Sequence, residues 1–297
     1  MLLAWKFRLM VAALVAPTAV SAVALERGLE PAAPRGSVPD LVELRSGELH
    51  YRASGAFTQT GRQASAPIVA VAIPSGLAMM RHQVTAADYR RCVDARACQK
   101  IGRAAPDSDR PAVDVSWRDA TAYASWLSRQ TGLHFRLPTD AEWAYAAAER
   151  FWDDALPDDA DSGDPGQREL ATYEREADRD SPDGREPKPL GSFGANENGL
   201  LDIAGNVWEW TDTCFVRSAL DASGATLRAT ANCGIRVVEG RHRTYIVDFI
   251  RDARVGGCAV GTPPTNLGFR LVRDDAGGWR PLHTLWGEAR RMVGLGA

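Results

Sequence analysis

The chain has 297 residues, of which 45% are apolar, 25% charged and 8% aromatic, the make-up of a folded protein with room for a large core. That balance excludes a collagen, a coiled coil, wholesale disorder and a multi-span membrane protein. The net charge of −3 and pI near 6.0 leave no basic surplus for nucleic acid or an anionic membrane surface. At the start, Met1 to Ala24 carries Lys6 and Arg8, a short apolar run from Leu9 to Ala16, and small residues at Ala22-Val23-Ala24. The run is too short to cross a bilayer core of about 30 Å. The expectation is a cleaved export signal over residues 1–24, with an uncleaved anchor as the alternative. Loss of Lys6 and Arg8 would take the net charge from −3 to −5.

Residues 25–66 read as an N-terminal extension with one strand-like stretch, Leu41 to Arg52. Pro67 then opens PIVAVAIPSG, a β-like run closed by Pro74-Ser75-Gly76. Three helix starts follow, each a Ser or Thr with an acid three residues on: Thr85 with Asp88, Ser116 with Asp119, and Thr139 with Glu142. In a capping box the hydroxyl takes one orphan backbone N–H and the acid takes another. Residues 153–186 are different material, with thirteen acids against four arginines and almost nothing apolar. They read as a solvated acidic insert, without the Asp-x-Asp-x-Asp-Gly spacing of an EF-hand loop. Leu267, Phe269 and Leu271 alternate along one face of a closing strand, and residues 275–297 form a tail.

Export would make disulfides the default state of the five cysteines. Pairing neighbours gives Cys92–Cys98 and Cys214–Cys233 and leaves Cys258 odd. Cys258 could be a reactive thiol, a metal ligand, a partner in another bridge, or a half-buried free cysteine.

Five segments carry a family resemblance: HQVTAADYRRCV from His82, PAVDVSWRDATAYASWL from Pro111, RLPTDAEWAYAA from Arg136, GLLDIAGNVWEW from Gly199 and NLGFRLV from Asn266. In this order they resemble the sulfatase-modifying-factor, or formylglycine-generating-enzyme-like, family. The resemblance implies a single loop-rich α+β domain over residues 67–274, a variant of the C-type lectin fold. It implies a structural calcium held by the Asp202 side chain, the Gly205 and Val207 carbonyls and the Glu209 carboxylate, the mix of oxygens that calcium takes. The competing reading has Asp202 capping a turn and Glu209 paired with an arginine. The family's second calcium site uses an Asn where Thr172 stands here. Trp208, Trp210 and Trp143 read as core packing.

Formylglycine generators use a cysteine pair shortly before the closing strand to hold copper. The matching stretch here, Arg236 to Arg254, has no cysteine, and one thiol at Cys258 does not replace a soft two-thiolate site. No copper site of that type is expected, and the five histidines lack ligand spacing for iron. Where relatives carry Gly-Gly-Ser-Trp, this chain has Gly240-Arg241-His242-Arg243. Arg241, His242 and Arg243 read either as a grip on an anionic peptide or as a solvated loop paired with the acidic insert. As catalytic candidates only Cys258 and His242 stand out.

The expected function is an exported accessory or maturation factor that binds a periplasmic protein or peptide. It resembles the NirV-type members associated with copper nitrite reductase. A periplasmic oxidase of PvdO type and a formylglycine-generating sulfatase activator are the alternatives.

Overall fold

The computed structural model describes residues 37–102, 108–152, 186–252 and 266–274. Each expected helix start is a cap. Thr85 Oγ1 accepts the Asp88 N–H at 2.9 Å and opens α1 (Ala86–Asp94). Ser116 with Asp119 and Thr139 with Glu142 form complete capping boxes at the heads of α2 (Trp117–Thr131) and α3 (Asp140–Ala147). Gly132, at φ 73°, ends α2 in the left-handed conformation that glycine adopts without a Cβ clash. Tyr123, Ala124, Trp126 and Leu127 line the buried face of α2.

Twelve strands complete the described residues. They are β1 (Leu41–Glu43), β2 (Gly47–Arg52), β3 (Ala56–Gln59), β4 (Arg62–Ala64), β5 (Ile68–Ile73), β6 (Leu77–Met80), β7 (Phe135–Arg136), β8 (Trp208–Leu220), β9 (Thr226–Glu239), β10 (Thr244–Val247), β11 (Leu267–Gly268) and β12 (Val272–Asp274). One sheet has the order β1-β6-β12-β7 and a second β10-β9-β8-β3-β4, with β11 also on β8; β2 and β5 form a ribbon. The result is a mixed α+β domain.

The residues before Pro67 are not an appendage. β1 pairs antiparallel with β6, and β3 runs parallel to β8, with Phe57 opposite Ser218. The expected boundary at residue 67 therefore cuts through both sheets. Pairing of strands about 160 residues apart leaves no trace in local periodicity, which is why the stretch reads as an extension.

Tyr89, Tyr123 and Phe269 pack ring to ring, with centroids 5.5–6.4 Å apart, between α1, α2 and the closing segment. Such pairs add about 0.5–1.5 kcal/mol beyond the area they bury. Trp143 and Trp210 are fully buried, as their core reading requires. Cys92–Cys98 closes the end of α1, and Cys214–Cys233 staples β8 to β9. Both neighbour pairings are thus the bridges the structure holds. The signal segment, the acidic insert up to Arg185, Cys258, Thr172 and the tail lie outside the described residues.

Candidate functional site

The GNVWEW segment is a tight loop feeding β8. Asp202, Ala204 and Asn206 all have positive φ, at 58°, 57° and 57°. Asp202 is fully buried. Its two oxygens accept the Gly191 N–H at 2.6 Å and the Phe193 N–H at 2.7 Å. Asn206 holds both backbone groups of Lys188 in the same way. These side chains clamp the 188–193 turn against the loop. The Phe193 ring lies 3.0 Å from where a Cβ on Gly205 would stand, so close approach fixes glycine there.

Glu209 is buried to 0% exposure at the start of β8. Its Oε1 accepts from Gln83 Nε2 at 2.8 Å and Arg270 Nη2 at 2.9 Å. Its Oε2 accepts from Trp143 Nε1 at 2.9 Å and Arg270 Nε at 2.7 Å. The Arg270 side chain, also at 0% exposure, spends its remaining donors on the Met80, Arg81 and Leu201 carbonyls. The pair joins β8 to the closing segment, and Gln83 extends it to the Asp202 carbonyl at 3.2 Å.

This arrangement does not fit the calcium implied by the resemblance. A carboxylate offers about four acceptor positions, and all four on Glu209 are filled. Its charge is already matched by a bidentate guanidinium. Gln83 Oε1 is buried without a hydrogen-bond partner, but one neutral oxygen falls far short of the six to eight that calcium takes. Asp202 caps a turn and Glu209 pairs with an arginine, which is the competing reading of the same residues. Among the described residues, no three His, Cys, Asp or Glu side chains gather as a metal set.

The Arg241–His242–Arg243 turn between β9 and β10 is mostly folded inward. Arg243 Nε lies 2.8 Å from Glu239 and 3.2 Å from Asp140, with all three side chains at 3% exposure or less. Its Nη1 donates to the Arg52 carbonyl at 3.1 Å, and the Tyr51 and Phe151 rings flank its guanidinium. Arg243 is thus an internal anchor, not half of a surface grip, because two buried acids outcompete solvent for it. Burial works to raise the Asp140 carboxyl, yet Arg243 and hydrogen bonds from Tyr51 and Ser54 hold it below the usual range. Burial, seconded by Asp140, pushes the Tyr51 hydroxyl up. His242 is buried edge-on against Trp208, with centroids 5.5 Å apart. Gly240 lets the Trp208 indole in, since a Cβ there would stand 2.5 Å from the ring. Only Arg241 keeps partial exposure.

Beyond this turn the cysteine-free stretch is built from ion pairs and stacking. The Arg236 guanidinium sits 3.8 Å over the Trp117 ring. Arg118 makes a fork to Asp248 at 3.1 Å on both arms, and Arg251 a fork to Asp119 at 2.7 Å on both. Burial would raise the Asp119 carboxyl, but Arg251 and the Ser116 cap lower it. Phe249 stands 60% exposed beside the Arg118 guanidinium.

A family model described as the sulfatase-modifying factor enzyme 1-like domain matches residues 26–275. The chain belongs to that family. Within it, the formylglycine-generating enzyme of Mycobacterium tuberculosis is 33% identical over 202 residues, 60% of this chain and 63% of that protein. The inactive C-alpha-formylglycine-generating enzyme 2 of Bos taurus is 31% identical over 173 residues, 58% of this chain and 52% of that protein. The chain thus spans less than two thirds of these relatives' length. A solved structure titled as PvdO from Pseudomonas aeruginosa is 20% identical, with TM-score 0.48, covering 80% of this chain and 94% of that one. The family model takes in residues 26–66, in line with the pairing of β1 and β3.

Of the residues singled out in the sequence, the structure brings Glu209 and Asp202 to one buried network through Gln83, and places Gly205 and Val207 on the loop between them. Reasoning from sequence missed Arg270, Gln83 and Asp140. Arg270 offered one signal, a charged residue inside an otherwise apolar closing strand.

Proposed function

We propose that this member of the family is an exported accessory protein that binds a protein or peptide and does not make formylglycine. The carrying observation is the stretch from Arg236 to Arg254, where formylglycine generators place their copper-binding cysteines and this chain has none. The described part of that stretch is occupied by β10, the Arg243–Glu239–Asp140 anchor and two arginine forks. Neither thiol nor paired imidazole stands there to bind a soft metal. In this reading the fold is the family's variant of the C-type lectin fold, used as a rigid scaffold. The partner is a periplasmic protein or peptide, with a copper nitrite reductase as the first to try, by analogy with NirV-type members. Export through the 1–24 signal would place the chain there, and among the described residues no helix is long and apolar enough to cross a membrane.

The test is incubation of the purified chain with a sulfatase-type cysteine peptide, copper and oxygen, read by mass spectrometry. No conversion is expected. Loss of sulfur with gain of an aldehyde, abolished in Cys258→Ala, would overturn the reading and make Cys258 catalytic.

A further inference from the structure

β9 is fourteen residues long, but β10 covers only Ile235 to Val238 of it. The last contact on that side is the Asp248 N–H, donating to the Gly234 carbonyl at 3.0 Å. From Cys233 back to Thr226, no described strand pairs with the outer edge of β9. On the other edge Arg228 to Asn232 pair with Phe215 to Ala219 of β8 and Thr226 with Leu220, Leu227 being bulged out, and β8 is itself backed by β3. Every residue from Leu227 to Gly234 is exposed, Leu227 to 66%. Alternate residues of an antiparallel edge point both N–H and C=O outward, which gives about four of each over eight residues. Proteins blunt such edges with Pro, Lys or bulges that twist them away. Thr226–Gly234 has neither Pro nor Lys; its register shifts fall at its two ends, at Leu227 and at residues 233–235, so Arg228–Asn232 runs unbroken between them, and the Cys214–Cys233 bridge holds its base in place.

The arm also has a sign. The hairpin Thr213–Val238 contains Arg217, Arg228 and Arg236 against one acid, Asp221 in its turn, and β3 with β4 adds Arg62 and no acid. Arg228 lies opposite Ala219, two residues from Arg217, so both project from one face of the sheet. Arg217 is exposed and leans on the Phe215 ring, its guanidinium 5.8 Å from the centroid. A net cationic edge on a chain of net charge −3 selects its partner by charge.

From this juxtaposition we infer that Thr226–Cys233 is a docking edge for an extended, acidic segment of a partner protein, added as one more strand beside β9. Main-chain hydrogen bonds supply the affinity, and carboxylates at alternate positions, about 7 Å apart, meet Arg228 on β9, with Arg217 one strand behind it on the same face. The inference rests on the binding reading above and gives it a surface and a partner chemistry.

The probe is a fluorescein-labelled ten-residue peptide with Glu alternating with Thr and Val, titrated by anisotropy into the oxidised chain. Its controls carry Lys for Glu, or N-methyl groups on one or the other set of alternate amides. The Glu peptide is expected to bind at least tenfold tighter than the Lys peptide. N-methylation of one set should cost at least tenfold, and of the other set little. Arg217→Glu with Arg228→Glu should invert the charge preference with an unchanged melting midpoint. The N-methyl pair reads out edge pairing even if that variant folds poorly. Equal affinity for both charges, indifference to N-methylation, or no binding would overturn the inference. So would a dimer in light scattering that Arg228→Glu dissolves, since a second copy would then own the edge. None of these outcomes bears on aldehyde formation, so failure here and failure of the accessory reading are told apart.

Discussion

Replacing Arg270 by Met should be among the most damaging single changes in this protein. The substitution keeps the volume of the stem and removes the charge. It strands the Glu209 carboxylate at 0% exposure with only Trp143 and Gln83 as donors. It also strips a partner from the Met80, Arg81 and Leu201 carbonyls. Breaking a buried pair from one side costs about 3–5 kcal/mol, because an uncompensated charge stays behind. In a domain of this size that is a fall of about 6–20 °C in midpoint. Denaturant unfolding at 25 °C, checked for an unchanged slope, gives the free energy directly. Adding Glu209→Gln should recover at least about 1 kcal/mol, because a neutral amide no longer buries a charge. A loss under about 1 kcal/mol for Arg270→Met, or no recovery on adding Glu209→Gln, would refute the account.

Calcium and a chelator should give equal melting midpoints, since the Glu209 acceptors are full; a rise approaching the ~2.7 kcal/mol of an ion at 100 times its dissociation constant would show that calcium displaces Arg270. Cys214→Ala with Cys233→Ala should cost about 3 kcal/mol by loop entropy for a sequence separation of 19, and non-reducing peptide maps of the parent should show both bridges with Cys258 as the one free thiol. Asp119, held below the usual carboxylate range, should lend stability that is present above about pH 4 and lost as acid protonates it, so Asp119→Asn should flatten the acid limb of the stability curve. Gly240→Ala should cost about 1–3 kcal/mol by driving a methyl into the Trp208 indole, and tryptophan fluorescence should shift with it.

What could be read from the sequence was local. Thr85, Ser116 and Thr139 announce their helices because cap and acid sit three residues apart on one turn. The two bridges were legible because each cysteine pairs with its chain neighbour. The α+β character followed from short strands between capped helices. What escaped was charge pairing at long range. Glu209 looks like a ligand as long as its partner, 61 residues away, is read as the polar face of a strand. Arg243 looks like a surface cation until Asp140, 103 residues earlier, is seen behind it. Neither carries a period, and only the folded chain brings them within 3.2 Å.

The closing strand has a consequence for the order in which the protein is made. β12 lies inside its sheet, between β6 and β7, so residues 77–80 wait for a neighbour synthesised nearly two hundred residues later. Until Arg270 emerges, Glu209 is an acid without the cation it pairs with in the fold. The four-stranded sheet and the Glu209 pair therefore cannot be complete before residues 270–274 are made. For a chain exported as proposed above, that order keeps the buried pair from closing before residue 270 is made.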